Sequence, residues 1–119
     1  MADAKDIATL LRHHRFNACG EDDLQRGIEK MLTDAGIAFE REFHLDAHSR
    51  IDFLVGDIGI EVKVDGSLND VMRQVQRYLG FEHIGSLVVV TTRSRHRALP
   101  LEMRGKQIHV VTLLTGLLR

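Results

Sequence analysis

Three residues, Asp52, Glu61 and Lys63, are of the types that phosphodiester hydrolysis requires. That reaction needs a water made nucleophilic, in-line geometry and neutralisation of charge on the pentavalent phosphorus. A hard divalent ion such as magnesium takes oxygen ligands and keeps several waters, so two carboxylates and a backbone carbonyl are enough to hold one. Glu61 and Lys63 are two residues apart, so in a strand they share a face while Val62 points into the opposite layer. Taken alone, an E-x-K pattern favours an ordinary ion pair on a solvated strand. Ile58, Ile60, Val62 and Val64 mark an interior strand, where an unpaired charge carries a heavy desolvation cost that something must compensate, and the order of the surrounding elements is what shifts the balance.

To bring these residues together, RIDFLV (50–55) and IGIEVKV (58–64) must pair, and the intervening Gly56 and Asp57 read as a tight hairpin. Both carboxylates then converge at one end of a sheet. Upstream, Leu24, Ile28, Met31, Leu32 and Ala35 line one face of a predicted helix, with acids in its first turn and Gly36 as its stop. Residues 37–45 place Ile37 and Phe39, then after a shift Phe43 and Leu45, on a strand with one covered face.

Downstream, Ser67 is the candidate N-cap of a helix that carries Leu68, Val71, Met72, Val75 and Leu79 and ends near Gly80. SLVVVTT (86–92) is a continuous apolar run, the mark of a strand buried on both faces. A short N-terminal helix is expected over residues 6–16, with Ile7, Leu10, Leu11 and Phe16 at helical spacing. A short helix through RHRALPLEM and a final strand QIHVVTLL are expected at the other end. With no repeat or linker, residues 1–119 read as a single α/β domain.

The sequence resembles the PD-(D/E)XK nuclease superfamily, the restriction-endonuclease-like fold. The resemblance is carried by Ile51-Asp52 and Glu61-Val62-Lys63 within the element order α-β-β-β-α-β, over about residues 21–92. It implies a central mixed β-sheet flanked by helices, with the N-terminal helix and the C-terminal helix-strand as additions. Ile51 stands where the superfamily's name gives Pro, a position that tolerates substitution. The helix pattern from Gln74 to Tyr78 is similar to the Q-x-x-x-Y of RecB-type and virus-type replication-repair nucleases.

Carried over residue by residue, the resemblance implies Asp52 and Glu61 as ligands of Mg2+, for which Mn2+ can substitute, with the Val62 carbonyl completing the set. Lys63 is then a catalytic ammonium that orients water or offsets phosphate charge, and Gln74 joins the catalytic group. Glu21, followed by Gln25, looks like the family's first-helix acid, with Glu29 as the alternative and a simple helix-dipole role also open for Glu21. The implied activity is hydrolysis of DNA, with RNA also open, in a phage-type or repair process. An alternative is a non-catalytic nucleic-acid-binding or protein-interaction module on the same fold. Small resolvases of this fold act as dimers, so a homodimer is expected, with the apolar end VVTLLTGLL as a candidate interface.

The formal net charge of -1 excludes a globally basic binder, so affinity for nucleic acid must come from local patches. Arg12, His13, His14 and Arg15 form one such patch, and Arg93, Arg95, His96 and Arg97 another. Arg77, Tyr78, Arg93 and Arg95 are the candidate nucleic-acid contacts. A lone cysteine, Cys19, leaves no intramolecular disulfide, and no Cys/His cluster has zinc spacing. His13, His14, His44 and His48 read as surface histidines. No apolar run is long enough for a bilayer, the first residues lack a signal-peptide layout, and G-x-x-x-x-G-K-[S/T] is absent. A cytoplasmic protein with neither membrane contact nor nucleotide cofactor is expected.

Overall fold

The computed structural model describes residues 2–16 and 20–113. In chain order these form α1 (Ala4–His13), α2 (Glu21–Asp34), β1 (Glu40–His44), β2 (Arg50–Val55), β3 (Ile58–Lys63), α3 (Leu68–Leu79) and β4 (Ser86–Thr91). A 3-10 helix (Ser94–Ala98), β5 (Glu102–Met103) and β6 (Lys106–Thr112) follow. The strands make one six-stranded sheet in the order β1-β2-β3-β4-β6-β5. β1, β2 and β3 pair antiparallel, β3, β4 and β6 parallel, and β5 returns antiparallel on β6. The fold is thus α/β, a mixed open sheet with helices on both faces.

Each helix forms for local reasons that also set its length. Asp3 accepts from the Asp6 amide at 2.8 Å, and Asp6 accepts from the Asp3 amide at 3.1 Å. This reciprocal capping box starts α1 at Ala4, ahead of the expected residue 6, and the helix ends at His13 with Phe16 outside it. Gly36 stops α2 at φ +71, with Gly36 N–H donating to Thr33 C=O and Ile37 N–H to Leu32 C=O. That pair of bonds is a Schellman termination, which a residue without a Cβ enters at no steric cost. Ser67 caps α3 by accepting from the Asp70 amide at 3.1 Å.

Two apolar layers sandwich the sheet. Ile7 and Leu11 of α1 with Leu24, Ile28 and Leu32 of α2 cover Phe53, Ile60, Val62, Val88 and Val90. Val71, Val75, Tyr78 and Leu79 of α3 cover Ile51, Leu54, Leu87 and Val89 on the other face. β4 lies between them, buried on both sides as its unbroken apolar run predicts.

The C-terminal part differs from expectation. The helix expected through RHRALPLEM is only the 3-10 turn Ser94–Ala98, and Glu102–Met103 belong to β5. Pro100 disfavours helical backbone in the residue before it, and Leu99 has ψ 142. Arg104 (φ 56) and Gly105 (φ 74) then form the tight turn that returns the chain into β6. Of the apolar end read as a dimer interface, only residues 110–113 are described, and Val111 among them is fully buried. Cys19 lies outside the described residues.

Candidate metal centre

β2 and β3 separate at the level of Asp52. Their ladder runs from Val55↔Ile58 through Leu54↔Gly59 to Phe53↔Ile60 and goes no further. Ile51 packs in the α3 layer and Phe53 in the α1/α2 layer, so the alternation of period two breaks between them. β1 distorts at the same level: Glu42, opposite Asp52, has φ 52, and it separates Arg41, which lies over the Phe53 ring, from Phe43 in the α3 layer. The strand therefore contributes to both faces, not to the single covered face expected for residues 37–45. Gly59 permits the crossing, because a Cβ there would meet Ile51 Cδ1 at 2.4 Å.

The separation frees backbone amides, and the two carboxylates take them. Asp52 N–H donates to Glu61 Oε1 at 3.1 Å, and Val62 N–H donates to Asp52 Oδ2 at 2.8 Å. Each acid is thus pinned beside the backbone at or next to the other. Lys63 C=O accepts from Thr92 N–H on the β4 side at 3.3 Å. Backbone groups alternate sides along a strand, so Val62 turns its C=O toward β2 and the same opening.

Glu61 is 5% exposed, and its second oxygen meets two donors. Lys63 Nζ lies 3.4 Å from Glu61 Oε2, and Tyr78 Oη 3.1 Å from it. Tyr78 Oη also lies 3.0 Å from Arg50 C=O and accepts from Gln74 Nε2 at 2.8 Å. Its single proton serves one acceptor at a time. Tyr78, expected to touch nucleic acid, is instead 2% exposed, its hydroxyl turned to Glu61. Gln74 reaches Glu61 only through Tyr78.

Electrostatics mark the pair as short of positive charge. Burial, then the Asp52 charge beside it, pushes the Glu61 carboxyl up to about 8, against the opposing pull of Lys63. Burial also raises Asp52, although the Val62 amide and other donors favour its charged form. Burial, then the Glu61 charge, raises the Tyr78 phenol. One ammonium faces the buried Glu61 and the partly buried Asp52, with Arg41 acting on Asp52 as well, and Glu61 still favours a proton or a cation beside it.

Glu21 opens α2 at the margin of this group. Its side chain is exposed, yet partial desolvation, then the Asp52 charge, raises its carboxyl, and Lys63 lowers it. Glu29, the alternative acid, instead binds Arg41 at 2.6 Å. Among the described residues, no three His, Cys, Asp or Glu side chains form a ready-made metal group. The donors that fit a divalent ion are the Asp52 and Glu61 carboxylates and the Val62 carbonyl, hard oxygens beside uncompensated negative charge. They suit Mg2+ or Mn2+ better than a soft-ligand metal.

The arginines sit around the loop that follows Lys63. Arg93 Nε donates to Val64 C=O at 2.7 Å, and Arg95 donates to Gly66 C=O at 2.9 Å and to Asp65 at 3.1 Å. Arg77 is exposed on α3. His96 does not belong to a surface patch: it is fully buried, with Nδ1 2.6 Å from Thr91 Oγ1 and Nε2 2.8 Å from Gly66 C=O. His13, His14, His44 and His48 are exposed.

Sequence reasoning missed Arg41 and the Arg50 carbonyl. Arg41 left a signal, a charge at an alternating position between Phe39 and Phe43; the carbonyl left none, since any residue has one. No helix among the described residues is long and apolar enough to cross a membrane. Comparison with protein-family models, with curated proteins and with solved structures found no match for this chain.

Proposed function

We propose that this chain is a magnesium-dependent nuclease of the PD-(D/E)XK superfamily that hydrolyses phosphodiester bonds in DNA, in a phage-type or repair process. The observation that carries the reading is the opening between β2 and β3, where Asp52 and Glu61 are each pinned to a backbone amide beside Lys63. Surface ion pairs are not built this way. A buried acid beside a partly buried one, with one ammonium, is costly unless a proton or a cation completes the group.

In this reading Asp52, Glu61 and the Val62 carbonyl hold the ion, and Glu21 adds an acid at its margin. When bound, the ion supplies Lewis-acid charge and makes its water more acidic. Lys63, on the same face as Glu61, orients the attacking water or offsets charge on the phosphate. Tyr78 holds the Glu61 carboxylate in place, and Gln74 holds Tyr78. Arg77, Arg93 and Arg95 offer positive charge to the DNA backbone. A homodimer would extend the phosphates that one small domain can cover.

The lack of a three-acid group among the described residues favours a second reading, a binding module that keeps the fold without the reaction. One experiment separates the two: cleavage of labelled single-stranded, duplex, flap and four-way-junction DNA with Mg2+ or Mn2+, for wild type, Glu61→Ala and Lys63→Ala. The nuclease reading expects metal-dependent cutting that both substitutions abolish. DNA binding without cutting, and with no calorimetric metal binding, establishes the module.

A further inference from the structure

Resting on the reading of this opening as a metal centre, we infer that Arg41 is a positioning residue for Glu21 and acts through Gln25. Arg41 occupies β1 with its guanidinium 5.0 Å from the Phe53 ring centroid. Its Nη1 donates to Glu29 Oε1 and its Nη2 to Gln25 Oε1, both at 2.6 Å. A guanidinium has donors only, so the Gln25 atom that faces it must be the amide oxygen. The amide nitrogen is then forced the other way, where it donates to Glu21 Oε2 at 3.3 Å. Gln25 is 7% exposed, so water is poorly placed to reverse it.

The spacing explains why one arginine can organise this face. Glu21, Gln25 and Glu29 follow one another at steps of four along α2 and share one side of the helix. Glu29 anchors the guanidinium from one end and Gln25 transmits its orientation to the other. Arg41 Nε is buried without a hydrogen-bond partner, a penalty that an apolar residue stacked on Phe53 would not incur. What the arginine provides in return is a one-way donor chain that ends on Glu21, the acid that opens α2. Glu21 is exposed at the first position of α2, and α2 packs against β3, the strand that carries Glu61 and Lys63; Asp52 and Lys63 both perturb its carboxyl.

The test is titration calorimetry of Mn2+ into the full chain, with thermal melts to verify folding. The proteins are wild type, Arg41→Lys, Gln25→Met, Glu21→Gln, Glu29→Gln, and each of the first two substitutions combined with Glu21→Gln. Outer residues that orient a ligand change metal affinity by about tenfold or more, so Arg41→Lys and Gln25→Met should each weaken Mn2+ binding by roughly tenfold. Neither should weaken it further once Glu21 is Gln, because the chain then no longer ends on the carboxylate that it orients. Glu29→Gln keeps an acceptor for Arg41 and should bind Mn2+ like wild type.

Equal losses with and without Glu21 would show that Arg41 acts on the centre by another route and overturn the inference. Abolition of binding by Glu29→Gln would make Glu29 a ligand and overturn it as well. If Arg41→Lys does not fold, the Gln25→Met cycle decides alone. Absence of Mn2+ binding by the folded wild type is a separate result: it removes the metal centre itself, and the inference with it.

Discussion

At the scale of single residues, Glu61 sits where a proton is favoured over a bare charge. Its folded value of about 8 lies above the ordinary 4.5, so the folded chain binds more protons than the unfolded chain between those limits. The stability this contributes is fully present below about 4.5 and is lost as pH rises through about 8. Asp52, also raised, acts in the same direction. In metal-free denaturation, Glu61→Gln should therefore be more stable than wild type near pH 8.5 by on the order of a few kcal/mol, with the gap closing toward pH 5. Millimolar Mg2+ should restore wild type at the high-pH end; parallel pH profiles for the two proteins would refute the account. Tyr78→Phe removes the hydroxyl shared among Glu61, Arg50 and Gln74. A loss of about 1–3 kcal/mol in urea denaturation is expected, the cost of leaving buried polar groups unpaired.

At the scale of elements, the local separation of β2 from β3 makes the site, and it depends on small features of both strands. Gly59→Ala would bring a Cβ to 2.4 Å from Ile51 Cδ1 and 3.0 Å from Leu87 Cδ1. The expected cost is about 1–3 kcal/mol, since a packed interior accommodates an added methyl only by shifting its neighbours. Adding Ile51→Val removes the closest atom and should recover part of that loss in the same assay; no recovery would mean that the clash lies elsewhere. α1 offers a simpler case. Asp3→Ala deletes one half of the capping box and should lower stability by about 1 kcal/mol, read from the urea midpoint.

At the scale of the whole molecule, the charge is nearly balanced, so the DNA binding proposed above would rest on local patches and few phosphate contacts. Each contact contributes about 0.9 to the slope of log affinity against log salt. Arg77 is exposed, whereas Arg93 and Arg95 also brace the loop after Lys63. Arg77→Ala should therefore reduce the salt slope by about one with the melting temperature unchanged. Arg95→Ala should alter both, because it also releases Gly66 and Asp65. An unchanged slope for Arg77→Ala would place the DNA path away from α3.

Local chemistry was legible in the sequence because it depends on near neighbours. Ser67 as a cap, Gly36 as a stop, the Gly56-Asp57 hairpin and the apolar run of β4 all follow from groups a few residues apart. The α/β class and the same-face placement of Glu61 and Lys63 follow from periodicity alone. The folded chain decided what depends on partners distant in sequence. Buried Tyr78 and His96 look like surface polar residues in a helix pattern and a basic run, until Glu61 in one case and Gly66 in the other come within bonding distance. Arg41 meets Gln25 and Glu29 only when β1 lies beside α2. What distinguishes Glu21 from Glu29 is likewise tertiary: both acids lie on one helix face, and the contact that sets Glu29 apart, its ion pair with Arg41, spans elements that sequence periodicity treats one at a time.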